Sequence, residues 1–248
     1  MFSGMQMTTA SAERIWQSLS VFAGNLSGQS VPGYRGDSVF AQKLAQTQTT
    51  IAQQRVPAFS LQAATNFASG SLRPTGRQLD VAIDGAGWLV VQDASGKAGL
   101  TRNGLLSLTA TGEVLTGNGA RVMGQAGPLT IPAFSQLTIG SEGSVSIIPA
   151  GGQDVEEVGR IRFANPPVTR LIRSPDGLFR LMDGSAPVPD PRVKMVSGAL
   201  EESNVDLMAE YLNVVETGKT MDLHVRMLSA FDQMAGRGNE LLNLSRRL

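Results

Sequence analysis

Two apolar stripes of helical period, one near each end, constrain this chain more than any other feature. Ala12, Ile15, Leu19, Phe22 and Leu26 recur at steps of 3, 4, 3 and 4. Leu207, Tyr211, Val214, Gly218, Met221, Val225 and Leu228 recur at steps of 4, 3, 4, 3, 4 and 3. Each set draws one narrow band along a helix. Chain ends ordinarily fray, so bands placed there predict ends that bury themselves against each other or against other subunits. An assembling structural protein needs such ends; an enzyme rarely does.

Between the stripes the period changes. Residues from about 5 to 27 read as a helix, stopped by Ser30–Arg35, where Pro32 cannot continue it and Gly33 permits a left-handed turn. Residues 36–56 carry a second possible helical stretch (Val39, Phe40, Leu44, Ile51), and Pro57–Gln78 reads as an extended connector. From Leu79 short apolar runs alternate with turn signals such as Asn103-Gly104, Gly117-Asn118-Gly119 and Glu142-Gly143, an all-β signature. Leu79–Asp93 reads as strand, hairpin turn at Gly85-Ala86-Gly87, and strand. Ser203 to Asp206 reads as a capping box, Ser203 the N-cap and Asp206 reaching back, opening a helix that runs nearly to Leu248.

The fold class expected is therefore a mainly β central domain of short antiparallel strands, flanked by N- and C-terminal α-helices. The boundaries are an N-terminal helix within 1–35, a connector over 36–78, a β-rich domain over 79–196 and a C-terminal helix within 197–248.

Charge and chemistry narrow the function. With 21 Lys+Arg against 21 Asp+Glu, no bulk field draws the chain to nucleic acid or an anionic membrane. No run approaches 18 apolar residues, so no direct membrane insertion is expected. The first residues lack a basic region followed by an apolar one, so no cleavable signal is read there. The absence of cysteine suits both a cytosolic chain and one exported unfolded.

Gly85 and Gly87 precede a strand, not the helix that a dinucleotide site requires. His224 is the single histidine and has neither a nucleophile elbow nor a ligand set around it. Glu156-Glu157 and Glu201-Glu202 are adjacent carboxylates that point to opposite faces of a strand, a poor acid–base pair, and are read as solvated. Arg160, Arg162, Arg170, Arg173 and Arg180 form the one basic cluster, either a rim for an acidic partner subunit or a solvated strand face. Met208, Met221, Met227 and Met234 suit an adaptable contact surface or ordinary packing. No catalytic residue, metal or cofactor is expected.

Five segments together resemble the flagellar basal-body rod family, the axial proteins that include hook and distal-rod subunits. They are Ala23–Leu26 through Ser30–Arg35, Leu79–Ile83 with Asp84, Gly85, Gly87 and Trp88, Thr101–Gly104 with Gly112 and Leu115, Ser197–Glu201 with Ser203–Val205, and Gly236-Arg237 with Asn239–Leu242. The short chain, compact connector and closing Gly236–Asn243 run resemble proximal more than distal rod subunits. Gly24 and the Ser27-Gly28 pair depart from the family pattern, and two glycines loosen a helix end by about 1 kcal/mol each relative to Ala.

The resemblance implies a structural rod subunit in the periplasmic part of the basal body, exported by the flagellar type III apparatus without signal cleavage. It implies self and neighbouring rod proteins as partners, and terminal helices that pair as a coiled coil on assembly. The expected seam is Ile15, Leu19, Phe22, Leu26, Leu207, Tyr211, Val214, Met221, Val225 and Leu228, with Asn25, Gly33, Tyr34, Ser203 and Asn204 shaping the helix boundaries. A distal rod or hook-type subunit is the alternative, and a non-flagellar β-domain binding protein or adhesin a remote one. An enzyme or adhesin with its site in the β domain would survive removal of both ends; a rod subunit would not assemble.

Overall fold

A computed structural model describes residues 2–43 and 59–245. Two helices, α1 (Phe2–Gly28) and α2 (Leu207–Ser245), bracket seventeen strands among the described residues. The strands are β1 (Asp37–Lys43), β2 (Phe59–Thr65), β3 (Leu72–Pro74), β4 (Val81–Asp84), β5 (Trp88–Gln92), β6 (Ala98–Thr101), β7 (Leu106–Leu108), β8 (Val114–Thr116) and β9 (Arg121–Val122). They continue as β10 (Phe134–Ile139), β11 (Ser144–Pro149), β12 (Glu156–Arg160), β13 (Phe163–Ala164), β14 (Leu171–Arg173), β15 (Phe179–Leu181), β16 (Lys194–Ser197) and β17 (Ala199–Glu201). The mainly β centre between two helices is as the sequence reads.

The chain forms two compact units. One contains Met1–Ser27, Asp37–Ala64 and Asp206–Leu248; the other contains Gly28–Gly36 and Thr65–Val205. In the second unit the largest sheet runs β14-β15-β6-β5-β9-β8-β7, with β13 also on β5. A three-stranded sheet runs β10-β11-β12, and β16 pairs β4 while β17 pairs β3. The Trp88–Val91 run is continuously apolar because β5 is covered on both faces. Leu89 and Val91 enter one core with Val81, Leu106, Val122 and Ile147, while Trp88 and Val90 enter another with Leu100, Leu171 and Phe179.

Three local readings change. The Gly85–Gly87 turn is not a hairpin: β4 pairs β16 and β5 pairs β6, β9 and β13, so the chain crosses there from one sheet to another. Gly87 has φ 140°, and a Cβ there would lie against the side chain of Val193, so no side chain fits the crossing. Helix is replaced by strand over Asp37–Lys43, which pairs β2 in the first unit. Tertiary pairing outweighs a weak apolar period there; Leu44 and Ile51 lie outside the described residues. Asp206, not Ser203, caps α2: its Oδ1 accepts from the Met208 and Ala209 N–H groups, at 3.0 and 3.1 Å. Aspartate is among the strongest N-caps, whereas the Ser203 Oγ accepts only the Val205 N–H in a local turn at 3.3 Å.

Candidate assembly surfaces

Within the second unit, the segment that follows α1 and the segment that precedes α2 run side by side. The Gly33 N–H donates to the Glu201 carbonyl at 2.7 Å, and the Asn204 N–H donates to the Tyr34 carbonyl at 3.3 Å. The Asn204 side chain locks this junction. Its Oδ1 accepts from the Gly36 N–H at 2.7 Å, and its Nδ2 donates to the Asn66 and Ala68 carbonyls, both at 2.8 Å. Gly33 has φ 68°, and a Cβ there would fall inside the Arg102 carbonyl, so both conformation and space require glycine. Gly28 is equally constrained, because a Cβ would enter the ring of Tyr34.

Beneath this junction lies a charged cluster that sequence reasoning missed. Glu201, read as solvated, is buried, as are Arg35 and Arg102. One Glu201 carboxylate oxygen meets Arg35 Nη2 at 2.6 Å, and the other accepts from Arg102 Nη1 at 3.0 Å. The Gly70 N–H also donates to Glu201 Oε1, at 3.1 Å. The alternation of β17 turns Glu202 outward, to Arg73 and the Ser71 hydroxyl, and Glu201 inward. Sequence offered one signal: Ala199-Leu200-Glu201 is a short run whose third residue continues an apolar strand.

Two guanidinium groups face one carboxylate here, leaving a surplus positive charge in a low-dielectric interior. Burial pulls Arg102 below the ordinary arginine value; Glu201 opposes that shift and Arg35 adds to it. Aromatic faces supply part of the compensation. Arg102 stands 5.4 Å from the Trp88 ring centre, and Arg173, which donates to the Arg35 carbonyl, lies 4.8 Å from that of Tyr34 and 5.1 Å from that of Phe179. Among the described residues Arg35 Nε and Nη1 meet no acceptor.

In the first unit, Asn25 is buried and performs a matching task. Its Nδ2 donates to the Asp37 carbonyl and to Glu210 Oε1, both at 2.7 Å, and its Oδ1 accepts the Asp37 N–H at 2.8 Å. One amide thus ties the end of α1 to the start of β1 and the first turn of α2. Ile15, Leu19, Phe22 and Leu26 are half-buried along α1. On α2, Val214 and Met221 are half-buried with Glu210, Asn213, Thr217 and His224. Leu207, Tyr211, Val225 and Leu228 lie open at 47, 58, 49 and 36 % exposure, and Met208 and Leu212 are open beside them.

Most of the predicted arginine cluster is engaged inside the chain. Arg170 pairs with Asp183, and Arg180 pairs with Asp93 at 2.7 Å and Asp176 at 2.5 Å. Arg162 donates to the Gln125 carbonyl at 2.7 Å. Glu156 and Glu157 are exposed, as the sequence reads.

Comparison with known families places these features. The flagellar hook protein FlgE/F/G D1 domain matches residues 82–147, and the flagellar basal body rod FlgEFG protein C-terminal domain matches residues 196–241. The flagellar basal-body rod protein FlgF of Salmonella typhimurium is 33 % identical over 234 residues, covering 91 % of this chain and 92 % of its own. That of Escherichia coli K12 is 33 % identical over 238 residues with the same coverage. The flagellar basal-body rod protein FlgG of Bacillus subtilis is 34 % identical over 193 residues, covering 73 % of this chain and 71 % of its own. The chain belongs to the flagellar basal-body rod protein family. Within that family it is FlgF-like, a structural subunit of the rod.

Proposed function

We propose that this subunit polymerises into the periplasmic proximal rod through its terminal helices, which pair as a coiled coil once neighbouring subunits are present. In this reading 1–35 and 197–248 supply the axial core, 36–78 the connector and 79–196 the outer β-rich domain. The seam is Ile15, Leu19, Phe22, Leu26, Leu207, Tyr211, Val214, Met221, Val225 and Leu228. The observation that carries it is the open apolar face at the start of α2, where Leu207, Met208, Tyr211 and Leu212 are all exposed. An isolated subunit that leaves such a face in water lacks a partner for it. Successive copies and neighbouring rod proteins cover the face around a screw axis, a heterologous contact that need not close.

The chain reaches the rod through the flagellar type III export apparatus without signal cleavage, and its task is stiffness, not turnover. The test is Tyr211→Asp, or a charge at Leu19 or Leu228, in a flagellated host lacking its own copy. Rods should be absent while the purified variant retains the melting behaviour of its β unit. Rods built at the parental level by the charged variants would refute the seam.

A further inference from the structure

The three-stranded sheet β10-β11-β12 carries opposite charge at its two ends. β11 and β12 are antiparallel, with Ile147 opposite Glu156 near the connecting loop and Ser144 opposite Arg160 at the base. The loop end bears Asp154, Glu156 and Glu157 around Val155, which is 69 % exposed. None of these three carboxylates makes an ion pair among the described residues.

At the base, Arg160 and Arg162 line a cleft of about 210 Å³ with Phe163, Pro189 and Pro191. Glu142 and Asp190 also line it. Lys194 answers Glu142 at 2.7 Å and Arg192 answers Asp190 at 2.9 Å; Arg160, which also acts on Glu142 through space, and Arg162 make no ion pair among the described residues and leave the cleft net positive. Asp154–Glu157 at the tip and Arg160, Arg162, Phe163, Pro189 and Pro191 at the cleft lie between the two family matches, while Glu142 falls inside the first.

We propose that the acidic tip of one copy docks in the basic cleft of the next, Val155 between the two proline walls and Glu156 on Arg160, with Glu157 on the other face of the strand adding to the negative field of the tip. The occupant is a second copy because the chain itself carries both halves of the pair at opposite ends of one sheet, the polarity a head-to-tail contact needs. Opposed charge fixes register and partner choice more than affinity. An acidic edge strand also discourages indiscriminate strand pairing, so the tip admits a cleft of matching charge and little else. The contact rests on the chain being a polymerising rod subunit, and it adds an outer layer to the helical seam.

The chain has no cysteine, which makes the test clean. Full-length protein carrying Glu156→Cys together with Arg160→Cys is expressed in a flagellated host lacking its own copy, and isolated basal bodies are mildly oxidised. Residues 156 and 160 are about 13 Å apart along one strand, beyond the roughly 7 Å between Cα atoms that a disulfide tolerates, so any bridge joins two chains. A ladder of dimers and larger species, absent from either single variant, is expected. Assembled rods without a ladder overturn this contact and leave the rod reading intact.

Charge reversal gives a second measure. Glu156→Arg with Glu157→Arg should abolish swimming at unchanged secretion and melting temperature, and adding Arg160→Glu with Arg162→Glu should restore it. Normal swimming by the first pair, or loss that the second pair does not restore, shows that the tip is unused or faces a different protein.

Discussion

Arg35 and Glu201, separated by most of the chain, meet at 2.6 Å with side-chain exposures of 0 and 1 %. Removing one charge from such a cluster strands the others. Glu201→Gln leaves Arg35 and Arg102 facing a neutral amide, and loss of one partner of a buried pair typically costs about 3–5 kcal/mol. Chemical denaturation of the purified variant should show a lowered midpoint of that size. Replacing Arg35, Glu201 and Arg102 together by apolar residues of similar volume should cost far less than the single change. A single variant as stable as the parent would mean that the cluster contributes little.

The two glycines at the end of α1 should respond in opposite directions to alanine. Nothing lies within 4 Å of a Cβ on Gly24, so Gly24→Ala should gain up to about 1 kcal/mol of helix stability. Gly28→Ala should lose stability, because the added methyl enters the Tyr34 ring. Circular dichroism melts of the two variants separate the effects; equal shifts would show that Tyr34 yields without cost.

How much of this was legible in advance follows from where information sits along the chain. The alternation of short strands and turns from Leu79 onward was readable, because turn glycines and apolar runs are local signals, but β6, β14 and β16 carry too little apolar sequence to stand out. Pairing was not, and β4 and β5 part at Gly85 although two strands around a tight turn usually form a hairpin. The seam residues of α1 are half-buried as a set, whereas the half-buried stripe of α2 includes polar Asn213, Thr217 and His224. Gly33, Tyr34 and Asn204 were named from resemblance, but their bonding to one another across the chain was invisible. Glu201 was misread because burial of a carboxylate depends on arginines supplied by two distant segments.

Four surface aspartates predict the acid limb of stability. Asp93 sits well below the usual carboxylate range, at about 2, because the Ser95 hydroxyl and the Lys97 N–H donate to it and Arg180 lies beside it. Asp176 is lowered by its hydrogen bond from Arg180, Asp183 by that from the Ser185 hydroxyl, and Asp190 by that from Arg192. A depressed folded-state pKa stabilises above the unfolded value and loses that contribution as protons bind. Stability should therefore be flat near neutrality and fall from about pH 4 toward pH 2. Asp93→Asn should flatten part of that fall in acid titrations followed by fluorescence; an unchanged acid limb would exclude Asp93 as a contributor.

Hydrogen–deuterium exchange on the monomer should separate three classes of backbone. Residues 65–205 should be protected, and residues 28–36 should share that protection because Gly33, Tyr34 and Gly36 are bonded to residues 201–204. The outer turns of α1 and α2 should exchange quickly until assembly covers them. Rapid exchange throughout 28–36 would contradict the junction.

The Asp206 cap gives a local check. Asp206→Ala removes the acceptor for two N–H groups and should cost about 1 kcal/mol. Exchange at Met208 and Ala209 should rise with little change beyond the first turns of α2.

The Tyr34–Asn204 junction also has a kinetic consequence. Those residues are 170 positions apart, so joining them closes a loop that spans most of the chain. Contacts of such separation form slowly, since their closure entropy must be met before they contribute anything. The intervening sheets shorten the effective loop only once they have formed, which makes this junction a late event. A newly made chain is therefore expected to leave this junction open until its sheets have formed.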